Sequence, residues 1–387
     1  MSNFSRRLRL ASTLVLTVAA VVPTAAIAAL RPSGDPIAVE SGAPPDTTAM
    51  TSTLCAAVAP SPDGGFFASW TADVQDGPPG SGTASFPIAR HFAADASPTT
   101  DALTLEGAPA LLVPQPDGSS LAIGTLGASR LEASGAQSSL RRFVDGPRST
   151  VLAATRADGG AAVVWRTLDA PPKIFARHLD SEGVEVGEAA TLVAPGPAVS
   201  ALFPLSWFGA GDLFGLAWGE HATSDGLARP QSFVGFFNGE GYAATSPVAL
   251  GRLRAAVGDG GAAGFVLATT DEEAALLHRF DATGRQQGRA TQLDPGPWRV
   301  LPVAVAVAPN GNFVVAWLRE RGAPKYKSEL LARVFSHNGR AKGAPIKIRL
   351  EVRAGACRPL AATADGEWLA VYRQPGGGIH VQRYVDR

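Results

Sequence analysis

Residues 301–350 read LPVAVAVAPNGNFVVAWLRERGAPKYKSELLARVFSHNGRAKGAPIKIRL and contain one full copy of a repeated unit. Two short apolar segments meet at Asn310-Gly311, a strong signal for a two-residue β-hairpin turn. Two further segments, at 330–335 and 345–350, are separated by turn residues at 336–339. The stretch therefore predicts four antiparallel strands within about 50 residues.

The first turn of this unit recurs along the chain, each time with Gly beside Asp or Asn. The copies are Asp63-Gly64, Asp117-Gly118, Asp158-Gly159, Gly211-Asp212, Asp259-Gly260, Asn310-Gly311 and Asp365-Gly366. A period of about 40 to 55 residues with four strands per copy is typical of β-propellers, because each sheet buries its faces only against neighbouring blades. The seven copies predict an all-β, seven-bladed β-propeller with four-stranded antiparallel blades. Rings of six or eight blades are the alternatives.

The two ends of the chain predict how the ring closes. The seventh copy stops after its third strand, at residues 383–385. At the other end, GDPIAV (residues 34–39) aligns with GAPIKI (residues 343–348), which is a fourth strand. The N-terminal strand, at about residues 34–40, is therefore expected to complete the last blade and remove the exposed sheet edges.

The two cysteines occupy equivalent positions in the repeat. Cys55 precedes Asp63, and Cys357 precedes Asp365, by the same eight residues. These positions lie on blades one and seven, which are neighbours only in a closed ring. The sequence predicts a Cys55–Cys357 disulfide, and two buried free thiols are the alternative.

Residues 1–28 have the features of a secretory signal. Arg6, Arg7 and Arg9 precede an apolar stretch at 10–22, and Ala26-Ile27-Ala28 forms a small-residue cleavage site. An uncleaved anchor is the alternative, and a twin-arginine signal is a second possible export route. The expected product is exported to the periplasm or the medium and has no membrane span. It comprises the closing strand with a mobile strap (29–52) and the propeller (53–387).

Composition and motifs narrow the function classes. The chain of 387 residues carries 34 basic and 34 acidic side chains. No stretch concentrates the basic residues, which argues against a nucleic-acid partner. The histidines lack metal-ligand spacing, and no nucleophile or nucleotide-binding motif occurs. We therefore predict no metal, no cofactor and no catalytic residue, and we expect a monomer.

Blade geometry indicates which face binds. The loops between strands two and three, and the connectors between blades, share one face of a propeller. Here they are long and irregular, so the channel mouth on that face is the predicted binding site. The candidate residues are Glu220, His221, Asp225 and Arg229 on one loop, Trp298 in a connector, and Arg319, Arg321, Lys325 and Tyr326 on the most charged loop. The alternatives are a capping role at the blade interface for Trp298 and ordinary solvated loops for the others.

Two of the repeats carry a family resemblance. DGGAAVVW…IFARHLDSEGVEVG (residues 158–187) and NGNFVVAW…LLARVFSHNGRAKG (residues 310–343) resemble exported bacterial β-propeller repeat proteins, whose pattern runs DGxFVVAW, a loop and ARxFDxxGxxxG. The resemblance covers residues 55–387. It implies blades and turns and specifies no activity.

Two function hypotheses follow. The first is an exported, non-enzymatic propeller that binds a protein, an envelope component or a glycan. The second is a secreted carbohydrate-active hydrolase or lyase with its site at the channel mouth. The second requires carboxylates that converge there. Its candidates are Asp73, Asp169, Glu220 and Asp271.

Overall fold

The computed structural model describes residues 30–39, 56–75, 83–105, 111–145, 148–167, 171–195, 199–224, 227–271, 274–296, 298–321, 327–350, 358–373 and 378–386. Within these ranges, every element of regular secondary structure is a β-strand. They form seven sheets, each of four antiparallel strands. The prediction of a seven-bladed β-propeller is confirmed. The predicted signal at 1–28 and the strap at 40–52 lie outside the described residues, as do Cys55 and Cys357.

Six blades are continuous in sequence, and their strands run from the channel outwards in chain order. Blades 1 to 3 are β2 (Ala56–Pro60), β3 (Phe66–Gln75), β4 (Thr83–Phe92) and β5 (Leu103–Thr104); β6 (Leu111–Pro114), β7 (Ser120–Ile123), β8 (Gly127–Leu131) and β9 (Arg141–Arg142); and β10 (Ser149–Thr155), β11 (Ala161–Arg166), β12 (Ile174–Leu179) and β13 (Glu185–Val193). Blades 4 to 6 are β14 (Val199–Ala210), β15 (Leu213–Ser224), β16 (Leu227–Asn238) and β17 (Val248–Gly251); β18 (Ala255–Gly261), β19 (Gly264–Thr270), β20 (Ala275–Phe280) and β21 (Thr291–Gln292); and β22 (Arg299–Val307), β23 (Phe313–Arg321), β24 (Lys327–Phe335) and β25 (Ala341–Lys347).

Blade 7 joins the two ends of the chain. Its strands are β26 (Leu360–Ala362), β27 (Trp368–Arg373), β28 (Ile379–Asp386) and β1 (Leu30–Ala38). β1 pairs antiparallel with β28, from Leu30 opposite Asp386 to Ala38 opposite His380. The predicted closure by the N-terminal strand is confirmed. The strand begins earlier than the alignment predicts because Leu30 is buried against the core of blades 6 and 7.

The second strand of each blade forms the core of the ring. In blade 6, residues 313–317 are fully buried. Val314 and Ala316 pack toward blade 7, whereas Phe313, Val315 and Trp317 pack toward blade 5. A strand between two blades has no solvent face, which is why FVVAW does not alternate with polar residues.

Arginines at one position of the third strand link consecutive blades. Arg130 Nη1 donates to Ser181 O at 3.0 Å, Arg279 Nη1 to His337 O at 3.2 Å, and Arg383 Nη2 to Ala94 O at 2.9 Å. Each acceptor lies in the turn between the third and fourth strands of the next blade. The Arg383 bond runs from blade 7 to blade 1, so the ring closes with the same contact that joins internal blades.

The predicted turn at Asp259-Gly260 is wrong. Both residues lie inside β18, and Ala262-Ala263 form the turn. Val307 N, on the inner strand of blade 6, donates to Asp259 Oδ2 at 2.8 Å. The carboxylate therefore accepts a hydrogen bond from the neighbouring blade. The local sequence, Asp followed by Gly, is the same as that of a turn, so it cannot reveal this role.

Candidate functional site

The two faces of the ring differ. We call the face with the turns between strands one and two and between strands three and four the turn face. The opposite face, with the connections between strands two and three and the blade connectors, is the hairpin face. Blades 1, 4 and 6 have second strands of 10, 12 and 9 residues, against four to seven in the other blades.

The extra length forms three β-hairpin arms on the hairpin face. Pairing with the third strand continues to Gln75–Thr83 in blade 1, Ser224–Leu227 in blade 4 and Arg321–Lys327 in blade 6. The expectation of irregular loops there is wrong. These segments are polar because the paired strands extend beyond the blade core and pack against few apolar side chains.

The blade 4 arm positions two candidate residues. Trp218 Nε1 donates to Glu220 Oε1 at 2.9 Å. The ring of His221 lies 5.3 Å from that of Phe203, centroid to centroid, and the guanidinium of Arg166 from blade 3 lies 5.1 Å from the same ring. Phe203 is 37% exposed. Glu220 therefore supports its own strand, while His221 and Phe203 present an accessible aromatic pair beside a cation.

Two other candidates of this arm are less defined. Asp225 lies outside the described residues. The backbone of Arg229 pairs with Ala222 in the arm, and its side chain is outside the described part of the chain.

The blade 6 arm holds Arg319 in a network. Its Nε and Nη2 lie 2.9 and 2.5 Å from Glu329 Oε2, and its guanidinium lies 4.7 Å from the Trp298 ring. Asp294 Oδ2 accepts a hydrogen bond from Trp317 Nε1 at 3.1 Å and lies 3.7 Å from Arg319 Nη1. Arg319 and Trp298 thus fix the connector against the arm.

The remaining candidates of this arm lie farther out. Arg321 is exposed at the end of β23. Lys325 and Tyr326 lie outside the described residues.

Exposed cations gather on the hairpin face of blades 5 to 7. This basic sector comprises Arg252, Arg254, Arg299, Arg321, Lys347 and Arg349. Two acids described on this face already have basic neighbours: Glu329 contacts Arg319 and Lys347, and Glu320 lies 3.9 Å from Arg299. An excess of positive charge on one surface attracts an anionic partner. Sequence reasoning missed the sector because its members come from three blades.

The side chain of Arg358 crosses the central channel. The carbonyl of Arg358, in blade 7, accepts from Val58 N of blade 1 at 3.0 Å, while its Nη2 donates to Ala153 O of blade 3 at 3.0 Å. Blades 7 and 3 are not neighbours, so the side chain must span the channel between their inner strands. Ala153 lies two residues before the end of its strand. The guanidinium therefore lies across the channel near the turn face.

Asp259 is the acidic partner in the channel. Of the residues in the seven inner strands, only Asp259 and Arg299 are charged. Burial raises the pKa of the Asp259 carboxyl, and the charge of Arg358 and hydrogen bonds from Val307 and Gly260 oppose this without overcoming it. The described inner strands thus give the channel few charges, and the Arg358 guanidinium faces there a carboxyl, Asp259, that disfavours ionisation.

The Asp259→Asn variant is expected to gain stability over the wild type as pH rises. The folded pKa of Asp259 lies above the unfolded value of about 3.9. The contribution of this carboxyl to stability is therefore fully present below the unfolded pKa and is lost as the pH rises through the folded pKa. Asparagine keeps an acceptor for Val307 N and has no charge to desolvate. Urea unfolding between about pH 4 and pH 8 would measure the difference.

Asp117 provides a control of opposite sign. Hydrogen bonds from Ser119, together with Arg130, lower the pKa of Asp117 to about 2. Its stabilisation is present above the unfolded pKa and lost as the pH falls. Asp117→Asn should therefore lose stability relative to the wild type as the pH rises from about 2 to about 4, so the urea series for this variant extends down to that range. A wild-type advantage over Asp259→Asn that grew with pH would contradict the assignment.

The carboxylates required for carbohydrate cleavage are engaged or not described. Glu220 is bound to Trp218, and Asp271 Oδ1 accepts from Ala274 N at 2.7 Å. Asp169 and the side chain of Asp73 lie outside the described part. Across the described ranges, no three His, Cys, Asp or Glu side chains are grouped to hold a metal ion. None of the described segments is a helix with the length and apolarity to cross a bilayer.

Comparisons with known proteins support the fold. No protein-family model matches the sequence, and no curated protein does. Among solved structures, an ulvan lyase, described as a new family of polysaccharide lyase, is 10% identical with a TM-score of 0.51, and the match covers 92% of this chain and 94% of that one. The acylaminoacyl peptidase of Pyrococcus horikoshii is 11% identical with a TM-score of 0.50, covering 86% of this chain and 51% of that one. These similarities concern the propeller architecture alone.

Proposed function

We propose that this protein is an exported, non-enzymatic β-propeller that binds an acidic polysaccharide through the basic sector of its hairpin face. One observation carries the proposal: six exposed cations from blades 5 to 7 share one surface, and Glu320 and Glu329, two acids described there, already face basic side chains. A closed ring of seven blades holds these cations at fixed spacing, which favours a repeating anionic ligand over a single small ion.

Export and a monomeric state belong to the same proposal. The signal-like residues 1–28 and the paired positions of Cys55 and Cys357 support export to an oxidising compartment. The closed ring supports a monomer, because every blade already has its four strands and none is left for a second copy to supply. In that setting the acidic polysaccharide would belong to the cell envelope or its surroundings, and an acidic protein is the competing partner.

The second candidate function is a secreted lyase acting on an acidic carbohydrate at the channel mouth. It is favoured by His221, an accessible base candidate that shares Phe203 as a neighbour with the Arg166 guanidinium. Elimination next to a carboxylate needs a base and a cation that neutralises the carboxylate. A solved polysaccharide lyase with a similar fold supports this candidate, because that protein carries out lyase chemistry on the same architecture. Release of unsaturated sugar ends from polygalacturonate by the wild type, and not by His221→Ala, would establish it.

Reversing two charges in the basic sector should weaken binding to immobilised polygalacturonate by about tenfold to a hundredfold, since each basic side chain near a polyanion contributes about 1 kcal/mol. The variant is Arg299→Glu with Arg321→Glu. The matched control is Arg285→Glu with Arg340→Glu, two exposed arginines in turns of the opposite face.

The measurement is biolayer interferometry at two salt concentrations, with neutral dextran as the ligand control. Binding should fall with salt, because exposed charges are screened within about 10 Å at 0.1 M ionic strength. Equal losses in the sector variant and the control variant would contradict the face assignment. If an immobilised acidic protein bound the wild type and polygalacturonate did not, the basic sector would be assigned to a protein partner.

A further inference from the structure

A cavity of about 250 Å³ lies between blades 3 and 4, beside the turn at residues 238–241. Trp207 forms its floor, and its ring stacks at 5.2 Å on that of Phe214, which is fully buried. Trp207 Nε1 donates to Ala162 O of the neighbouring blade at 3.0 Å. The indole is thus fixed by packing and by a hydrogen bond, which gives the cavity a rigid apolar floor at the junction of two blades.

One exposed apolar side chain lines this groove, and two more lie close to it in the chain. Val186, in β13, lines the groove and is 52% exposed, and Tyr242, next to the lining residue Gly241, is 68% exposed. Val184, in the turn before β13, is 42% exposed. Together they make up three of the five exposed large apolar residues in the described part of the chain. Exposed apolar side chains concentrated beside a concave surface indicate a ligand-binding site, because a bound ligand would remove their apolar surface from water.

The charges around the groove leave an excess of acid. Arg177 lies 3.1 Å from Glu185 and 3.5 Å from Asp145. Arg156 Nη2 lies 2.7 Å from Asp158 Oδ2. Both arginines are therefore compensated. Glu188 and Glu240 line the groove and are exposed.

His178 completes the polar wall. Its Nδ1 is in contact with Arg156 Nη1, which can only donate, so the ring proton belongs on Nε2. Burial, and then the charge of Arg156, lower the pKa of this histidine. The wall thus offers carboxylates and a neutral imidazole, and the guanidinium groups of Arg177 in the wall and of Arg156 behind His178 are already paired.

We propose that this groove binds a small organic cation, with its apolar body against Trp207 and Val186 and its ammonium group toward Glu188 and Glu240. The volume is just below the roughly 300 to 1,000 Å³ of typical small-molecule pockets. It suits one aromatic ring with a short aminoalkyl chain. The site lies away from the basic sector and does not depend on the function proposed above.

The charge preference can be tested with three probes of one shape: 2-phenylethylammonium, 2-phenylethanol and 3-phenylpropanoate. Ligand-observed NMR titration of the full chain should show the cation binding about tenfold more tightly than the alcohol, and the anion most weakly. Equal affinity for all three probes, or a preference for the anion, would overturn the proposal.

Two variants locate the site. Glu188→Gln with Glu240→Gln should remove the preference for the cation and leave alcohol binding unchanged. Ala190→Leu, at a residue that lines the groove, should reduce binding of both probes. Asp101→Asn, an exposed acid on blade 1, is the matched control, and melting curves confirm folding. Unchanged cation affinity in the double variant, or no saturable binding to the wild type, would reject the site.

Discussion

A chain that begins at residue 40 is expected to unfold at a much lower denaturant concentration than a chain that begins at Leu30. The shorter chain lacks β1, which supplies the fourth strand of blade 7. Leu30 is 4% exposed and Val39 is 1% exposed, so each contributes about 1.5 to 3 kcal/mol by burial. Ladder hydrogen bonds add about 1 kcal/mol each. The total is comparable with the roughly 5 to 15 kcal/mol that stabilises a whole domain.

The comparison contains its own control, because the chain beginning at Leu30 has lost residues 1–29 and should melt like the full chain. Loss of β1 also exposes the edge of β28, so association in size-exclusion chromatography is expected. A peptide of residues 30–39 added in trans should restore part of the stability. If the two truncated chains unfolded at the same urea concentration, closure by the N-terminal strand would contribute nothing to stability.

The Cys55→Ser variant should be less stable than the oxidised wild type by an amount that approaches about 5 to 6 kcal/mol, the chain-entropy value for a loop of roughly 300 residues. Strain in the native state lowers this upper bound. The described neighbours of the cysteines support the prediction, because Val58 N donates to Arg358 O at 3.0 Å and so brings blades 1 and 7 together. The measurement is the difference in unfolding free energy with and without reductant.

Thiol labelling separates the disulfide from its alternative. In denaturant without reductant, a disulfide blocks alkylation of both Cys55 and Cys357, whereas two buried thiols become labelled. Cys357→Ser should behave like Cys55→Ser, and the double variant should be no less stable than either single variant. Full alkylation of the unfolded, unreduced chain would exclude the bridge.

The features predicted from the sequence are those that depend on local pattern. Glycines with positive φ, such as Gly64, Gly118 and Gly311, mark the first turns of their blades. The FVVAW run is buried on both sides, as its composition indicates. Ring closure was predicted because the missing strand left a trace at the opposite end. In each case the physical cause lies within a few residues or in a repeat.

The features not predicted depend on residues far apart in the chain. Arg358 bonds to a carbonyl 205 residues away, and Asp259 to a backbone nitrogen 48 residues away. Neither contact has a local signature, and for that reason the sequence pattern predicts a turn at Asp259. The basic sector and the groove beside Trp207 likewise form only when neighbouring blades pack together. Of the candidate residues, Arg321 lies in the sector, while Glu220, Trp298 and Arg319 are engaged in local contacts.

Hydrogen–deuterium exchange of the full chain, with and without polygalacturonate, is the most direct test that the basic sector is the binding surface. Backbone amides of the hairpin face in blades 5 to 7, at residues 251–254, 296–301 and 347–349, are expected to gain protection. The turn face, including residues 336–340, should exchange at an unchanged rate. Protection confined to the turn face, or no protection at a saturating concentration of the polysaccharide, would contradict the assignment of the basic sector as the binding surface.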